Sequence, residues 1–182
     1  MLSITIPAGR ELFDERTQTF ITLDKPVRLS LEHSLVSLSK WESHYCKPFL
    51  TNKEKTFDET LYYIKCMTLT QNVDPNIYLM LNKKEINTIM DYISKPQTAS
   101  TVPHKNQSGP NREQPTSELI YCWMITLGVP VEFQKWHLSR LLMLIDICNF
   151  KNQPPKKMSK SEIAQRHRAV NAANRKRYSK GR

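Results

Sequence analysis

The side chains best suited to covalent or metal chemistry are four cysteines and five histidines, and their spacing favours neither kind of site. Cys46, Cys66, Cys122 and Cys148 include no Cys-x-x-Cys pair, which is the spacing that zinc sites and redox pairs use. His44 lies two residues before Cys46 and suggests a nucleophile with its base, but residues so close in sequence seldom face each other. We therefore expect reduced cysteines that pack as small apolar residues, and no metal site.

Three polar residues interrupt an otherwise apolar stretch near the C-terminal third of the chain: His137, Arg140 and Asp146. In one helix His137 and Asp146 would stand about 13–14 Å apart along the axis, so they cannot act as a base and its orienting acid. A contact between His137 and Glu118 is possible, but a hydrogen-bonded core histidine is the favoured interpretation. Arg140 is expected to pair with a carboxylate on a neighbouring helix.

The four glycines, at positions 9, 109, 128 and 181, are too scattered to form a phosphate-binding loop or a dinucleotide fingerprint. No His/Cys/Asp/Glu cluster has the spacing of metal ligands either. The sequence therefore predicts that the protein is not an enzyme, needs no cofactor and takes no small-molecule substrate.

The strongest electrostatic feature is a basic tail. Of the 27 Lys and Arg residues eleven lie in 151–182 together with one acidic residue, Glu162, whereas 1–150 contain 16 basic and 16 acidic residues. The net charge of +10 therefore belongs entirely to the tail. Phosphates, an acidic protein partner and plain solvent all remain possible neighbours for it, and a lone aromatic residue, Tyr178, argues against base stacking. The residues predicted to bind a partner are Lys156, Lys157, Arg166, Arg168, Arg175, Lys176 and Arg177.

The elements that position these residues begin with 116–159, interpreted as two helices joined at a tight corner. Thr116 or Ser117 can cap the first helix with its hydroxyl. Gly128 can adopt the left-handed conformation that ends a helix, and Pro130 can open the next one. The second helix is apolar on nearly every face near its middle, which is typical of the interior, so we expect this pair to form the core. One side of the second helix comprises Phe133, Trp136, Leu141, Leu144, Ile145 and Cys148.

Residues 2–32 alternate apolar and small polar residues between turn signals, which predicts an antiparallel hairpin or sheet of two or three strands. Thr56 and Glu59 have the spacing of a capping box. The fold class is thus α+β, mainly α: a small N-terminal β-hairpin or sheet, a bundle of about six helices and a basic C-terminal helical tail. Helices are predicted over 34–45, 56–69, 74–81 and 84–94, with Phe57, Leu61, Ile64, Ile86, Ile89, Met90 and Ile93 facing inward.

Residues 95–115 contain four prolines and almost no large apolar side chain, which predicts a mobile surface loop. Three regions follow: 1–32 forms a hairpin or sheet packed on the helices, 33–152 forms the helical core, and 153–182 forms the basic tail. No apolar run approaches the roughly 18–20 residues that span a bilayer, so we expect no membrane partner. The N-terminus lacks the pattern of a signal peptide, so we expect the protein to stay in the cytosol.

Five runs of sequence resemble a family of tailed-bacteriophage proteins, the tail assembly chaperones, over nearly the whole chain. The runs are KCMTLTQNVDP at 65–75, TSELIYCWMI at 116–125, QKWHLSRLL at 134–142, NQPPKKMS at 152–159 and NAANRK at 171–176. The resemblance weakens in 95–115.

The resemblance implies a non-enzymatic protein of the host cytoplasm that binds the tape measure protein and helps tail tube subunits assemble around it. Such chaperones are absent from the finished virion, and some families also produce a longer form by frameshifting. Two alternatives remain open: a nucleic-acid-binding phage protein that uses the basic tail as a clamp, and a permanent virion component such as a connector.

Overall fold

The computed structural model describes residues 1–14, 18–52, 54–101, 114–152 and 160–179, with the backbone alone for 14, 160 and 176–179. The chain forms two compact units, Met1–Lys151, called the body below, and Asn152–Arg182. The expected α+β class with mainly helical content is confirmed: a small antiparallel sheet precedes seven α-helices in the described residues.

The N-terminal β-structure is a ribbon folded back on itself. Strand β1 (Leu2–Ile6) pairs antiparallel with β4 (Val27–Leu31), and β2 (Glu11–Asp14) pairs antiparallel with β3 (Thr19–Thr22). Between the two ladders, Gly9 and Leu23 continue the backbone hydrogen bonding at 2.8 Å. Four strands form where two or three were expected. The additional strand is Glu11–Asp14, which has no alternation of β-branched residues of its own and becomes a strand by pairing with β3.

The strand pair β1 and β4 covers the interior of the body with one of its two faces. Ile4, Ile6, Leu29 and Leu31 alternate with polar residues along β1 and β4, and all four are buried. This period of two directs one set of side chains inward, since successive strand residues point to opposite faces.

Helices α1 (Leu35–Tyr45) and α2 (Phe57–Met67) begin with reciprocal side-chain caps. The predicted capping box is confirmed: the Thr56 hydroxyl accepts from the Glu59 N–H at 3.2 Å, and Glu59 accepts from the Thr56 N–H at 2.9 Å. The fully buried Trp41 of α1 donates its indole N–H to the Glu59 carbonyl at 2.9 Å, which fixes α1 against α2. Phe57, expected on the same face as Leu61 and Ile64, is 61% exposed at the first residue of α2, while those two side chains are buried.

Helices α3 (Asn76–Leu79) and α4 (Lys83–Ser94) follow, and Asn82 and Glu85 form the cap of α4. Arg10, which lies between β1 and β2, donates to both carboxylate oxygens of Glu85 at 2.7 Å and to the Met80 carbonyl at 2.6 Å. This bidentate ion pair attaches the N-terminal strands to the start of α4. Of the four residues of α4 that were predicted to face inward, only Ile89 is fully buried, and the prediction for Met90 is wrong because its side chain is 40% exposed.

The C-terminal part of the body differs from the predicted pair of continuous helices. Helix α5 (Ser117–Thr126) ends before Gly128, whose φ of +66° is the predicted left-handed conformation. Val131–Lys135 then forms a separate 3₁₀ helix, and α6 (Leu138–Asn152) begins only after an extended Trp136. The interruption has a tertiary cause: the Leu138 N–H donates to the His33 carbonyl at 2.7 Å.

The core is shared among the ribbon and the helices instead of being concentrated in α5 and α6. Both helices contribute to it, but Ile125 of α5 is 76% exposed and Phe150 of α6 is 52% exposed. Helices α5 and α6, although apolar on several faces, therefore bury one side each and expose apolar side chains on the other. The largest fully buried side chains are Trp41, Ile6, Leu29, Leu31, Leu35, Leu38, Ile64, Met67, Ile89, Ile120, Met124 and Leu138.

The predicted mobile loop at 95–115 is described only at its two ends. The Gln97 N–H donates to the Ser139 hydroxyl at 3.0 Å, and the Thr51 hydroxyl donates to Gln114 at 3.4 Å. Both described ends are thus held against the body, and 102–113 lie outside the described residues.

In the described residues of the second unit the chain forms a helix of 20 residues, α7 (Lys160–Ser179). Every described side chain in it, from 161 to 175, is exposed. A helix of this composition has no extensive apolar face of its own, so packing on a partner would add most of its stability.

Candidate functional site

The seven basic residues predicted to bind a partner all belong to the C-terminal unit. Arg166, Arg168 and Arg175 lie in α7 with exposed side chains. Lys176 and Arg177 continue the same helix, and their side chains lie outside the description; Lys156 and Lys157 lie outside the described residues altogether. One helix therefore carries five of the seven predicted residues.

The arginines of α7 do not form a single stripe. Successive helical residues turn by about 100°, so Arg166 and Arg168 project from nearly opposite sides. Arg168 and Arg175, seven residues apart, project from the same side. A helix that is basic on opposite sides attracts an acidic surface from several directions of approach, which favours rapid encounter over one fixed orientation.

A narrow apolar stripe lies beside one of these arginines. Ile163 and Val170 are seven residues apart on one side of α7 and are 43% and 51% exposed. Arg166 lies between them along the axis and within about 60° of the same side. Apolar anchors with an adjacent cation are the pattern by which an amphipathic helix binds another helix.

The body contains a second candidate, a buried cluster of titratable side chains where the start of α1 meets the start of α6. Ser34 and His137 form an isolated antiparallel bridge. The rings of His33 and His137 meet edge to face, with centroids 5.1 Å apart, and the two residues are 5% and 6% exposed. The backbone pairing thus forces two imidazoles together inside the protein.

Tyrosines and one carboxylate surround the two histidines. The Tyr63 hydroxyl is hydrogen-bonded to His33 Nδ1, and the Tyr92 ring packs edge-on against His137 with centroids 5.1 Å apart. The Tyr92 hydroxyl donates to Glu32 Oε1 at 2.7 Å, and the α-amine of Met1 lies 2.8 Å from Glu32 Oε2. Both carboxylate oxygens of Glu32 are therefore occupied.

Burial keeps this cluster in its uncharged forms. Burial, and then the nearby charge of a protonated His137, lower the pKa of His33 to about 3. Burial also lowers the pKa of His137, although the negative charge of Glu32 favours its charged form. The pKa of Tyr92 is raised by burial and then by Glu32. Both histidines are neutral at pH 7.

His137 is the buried core histidine that the sequence predicts, but it is not fully satisfied. Its Nδ1 is 2.8 Å from the Ser139 hydroxyl and accepts from the Ser139 N–H at 3.3 Å. An accepting Nδ1 leaves the proton on Nε2, and this buried nitrogen has no hydrogen-bond partner among the described residues. Glu118, the alternative partner, lies at the start of α5 beside the Ser117 hydroxyl.

The prediction for Arg140 was wrong. Instead of a salt bridge to a neighbouring helix, its guanidinium lies over the Trp136 ring, 4.1 Å from the centroid, and no described carboxylate pairs with it. Trp136 also stacks on Phe133 with ring centroids 4.0 Å apart. The break between the 3₁₀ helix and α6 places Trp136 one turn before Arg140, which makes this stacking possible.

A cavity of about 270 Å³ opens beside this cluster. The ribbon, the end of α4, the 3₁₀ helix and the start of α6 all contribute to its wall. Its lining is mostly polar and includes the aromatic side chains of Tyr92 and Trp136. It comprises Met1, Glu32, Tyr92, Gln97, Lys135, Trp136, His137 and Arg140.

The other candidates for chemistry do not assemble in the described residues. His44 stacks on Tyr62, with centroids 4.1 Å apart, while the Cys46 thiol is directed to the Ser43 carbonyl at 3.9 Å. Cys46 and Cys122 are exposed, so the prediction of core packing fails for them; Cys66 is half-buried, and burial raises its pKa to about 11. Within the described ranges no three metal-ligating side chains converge.

Sequence reasoning missed His33, Glu32 and Tyr92 as neighbours of His137. They are 104, 105 and 45 positions away from it in the chain, and each follows or lies within an ordinary apolar element. The one feature in the local sequence that could have drawn attention to these residues is the polar pair Glu32-His33, directly before the cap of α1. Only the bridge between Ser34 and His137 shows that the pair turns inward.

Comparisons with family models, with curated proteins and with solved structures find no match to this chain. None of the described helices is both long and apolar enough to cross a membrane.

Proposed function

We propose that this protein is a non-enzymatic tail assembly chaperone of a tailed bacteriophage that binds the tape measure protein. The observation that supports it best is α7, a basic helix with exposed Ile163 and Val170, in a chain whose residues 1–150 have no net charge. The resemblance of the five sequence runs adds the class of partner. The tail tube protein is a further possible partner in the same assembly.

The binding mode follows from the two properties of α7. Its arginines attract an acidic partner over roughly 8–10 Å at physiological salt, and the stripe of Ile163 and Val170 then packs against an apolar ridge of a helical partner. The tape measure protein is expected to be long and largely helical, so it offers such ridges repeatedly. The electrostatic part of the affinity falls as salt is added, and the apolar part remains.

The test is capture of the purified, co-expressed tape measure protein of the same phage by the full chain and by a chain lacking 160–182. We expect capture by the full chain and a loss of about tenfold or more on truncation, equivalent to a few charge-assisted contacts. A triple variant, Arg166→Gln, Arg168→Gln and Arg175→Gln, is expected to weaken capture at low salt. Unchanged capture by both variants would refute the role of α7.

The matched control removes the same charge from the body. Lys25, Lys83 and Lys84 are exposed, so replacing all three by glutamine changes the net charge equally while leaving α7 intact. Capture by this control is expected to remain near that of the natural chain. Equal losses in both triple variants would mean that net charge alone, and not α7, governs the binding.

Nucleic-acid binding is the second candidate, favoured by the distribution of arginines on opposite sides of α7. A clamp on a phosphate backbone needs positive charge and no fixed face. The same eluates separate the two functions: recovered DNA or RNA without the tape measure protein would support this candidate. Its affinity would then fall steeply with salt and disappear on removal of 160–182.

A further inference from the structure

We propose that the cavity beside His137 binds an oxyanion, a single carboxylate or phosphate group, held by Arg140 and Lys135. All of these residues belong to the body, and the proposed function rests on residues of α7, so the two proposals are tested separately. The inference rests on which hydrogen-bonding groups around the cavity are already used and which are not.

Three acceptors in or beside the cavity wall, on Glu32, Ser139 and His137, are occupied. Glu32 Oε1 accepts from Tyr92 and Glu32 Oε2 from the Met1 amine. The Ser139 hydroxyl, next to the cavity wall, accepts from the Gln97 N–H, and His137 Nδ1 accepts from Ser139. A ligand that mainly donates hydrogen bonds would find no described acceptor left for it among these groups.

The unused groups are donors. The Nε2 atom of His137 is itself buried and cannot be reached from the cavity, which leaves the two cations of its wall. Lys135 has no described ion pair, and Arg140 contacts Trp136 only through the face of its guanidinium. Stacking leaves the in-plane N–H groups of an arginine available, and their fork matches a carboxylate or phosphate.

The charge and size of the cavity agree with a small anion. Two cations, Lys135 and Arg140, line it, while the charge of Glu32 is balanced by the Met1 amine. Its volume of about 270 Å³ is smaller than the usual range of ligand pockets, which begins at roughly 300 Å³. One charged group and a short apolar stem against Trp136 would fill it. The stem can belong to a free metabolite or to an acidic side chain of a bound protein.

The first experiment is an NMR titration of the full chain with inorganic phosphate and with acetate, against chloride at equal ionic strength. We expect saturable shifts of the Arg140 Nε–H and the Trp136 indole N–H, and an increase in the pKa of His137 at saturation, since an anion favours the imidazolium. Shifts that stay linear in concentration, with an unchanged pKa of His137, would overturn the proposal as an adventitious ion only.

The second experiment compares two charge-removing variants of the full chain. Replacement of both Lys135 and Arg140 by glutamine is expected to weaken phosphate and acetate binding by about tenfold or more. Lys151→Gln, an exposed change in the last turn of α6, is the control and should bind as the natural chain does. All three changed residues are exposed, so folding should survive, and equal affinity of both variants would contradict the site.

A further pair of ligands shows whether the bound anion belongs to a protein side chain or to a free molecule. Blocked glutamate, N-acetylated and C-amidated, presents the carboxylate as a protein side chain would, and blocked glutamine is its uncharged control. Tighter binding of blocked glutamate than of acetate would assign the site to an acidic residue of a partner. Tighter binding of phosphate would assign it to a free phosphate-bearing ligand, and binding of blocked glutamine as strong as that of blocked glutamate would refute anion recognition.

Discussion

At the residue scale, the pairing of His33 with His137 is the least expected feature of the body. Two buried imidazoles with centroids 5.1 Å apart can coexist only while both are neutral, because a charge on either would be desolvated and unbalanced. The start of α6 is attached to the body through this contact. Stability of the body should therefore depend on pH in a range where ordinary surface residues change little.

The expected pH dependence follows from the lowered pKa of His33. An unfolded histidine takes up a proton near pH 6.5, whereas folded His33 stays neutral down to about pH 3, so acid favours the unfolded state. The free energy of unfolding should fall by about 2 kcal/mol for this residue between about pH 7 and pH 5, above the range in which carboxylates titrate. Urea denaturation at the two pH values measures it.

Two variants check that His33 is the cause. His33→Gln removes the titrating group and should reduce the loss of stability on acidification, even if it lowers stability at neutral pH. His44→Gln changes a histidine stacked on Tyr62 outside the cluster and should keep the pH dependence of the natural chain. Parallel pH profiles for the natural chain and His33→Gln would contradict the assignment.

At the scale of the elements, Glu42 joins three segments. Its carboxylate accepts from the Phe49 N–H at 2.8 Å and from the Ser117 N–H at 2.6 Å, and it is 6% exposed. One buried side chain of α1 thereby caps α5 and holds the loop that follows α1. The negative charge is also favourable at the N-terminus of α5.

Glu42→Gln should consequently destabilise the body by about 2 kcal/mol. A glutamine oxygen can accept from one of the two N–H groups, but its NH₂ then faces the other donor, which stays buried without a partner. Glu54→Gln, a change of the same chemistry at an exposed position, should alter stability by no more than about 0.5 kcal/mol. Chemical denaturation of the natural chain and of the two variants measures these changes in stability. Equal stability of the two variants would show that the hydrogen bonds of Glu42 do not stabilise the contact among the three segments.

At the scale of the whole molecule, charge and burial are divided between the two units. Among the described residues the buried core comes from the body, Met1–Lys151, while the excess positive charge lies in 151–182. A body with a net charge near zero does not oppose its own folding by self-repulsion, and the basic residues of α7 can attract an acidic partner.

Removal of 160–182 should therefore leave the body folded. We expect a melting temperature within about 2 °C of the full chain, since no core residue is lost. Differential scanning calorimetry measures it, and an ¹⁵N–¹H spectrum that overlays that of the full chain is the control for an unchanged fold. A truncated chain that melts without cooperativity would show that the two units depend on each other.

The sequence by itself determined the features that depend on neighbouring residues. The capping box at Thr56, the cap at Thr116 and the left-handed Gly128 were all predicted, whereas the cap at Ser34 was not. Each arises because a hydroxyl, a carboxylate or a missing Cβ acts within about four positions along the chain. Composition likewise determined the charge division, since a count of Lys, Arg, Asp and Glu needs no coordinates.

Only the tertiary structure decided where α6 begins and which polar groups meet. Nothing local in Gln134-Lys135-Trp136-His137 stops a helix; the hydrogen bond from Leu138 to His33 does, across more than a hundred residues. The same bridge creates the histidine pair and the cavity, because burial and unused donors are properties of surroundings assembled from distant segments. Side-chain type can be read along the chain, but its protonation state and its partners depend on what the fold places beside it.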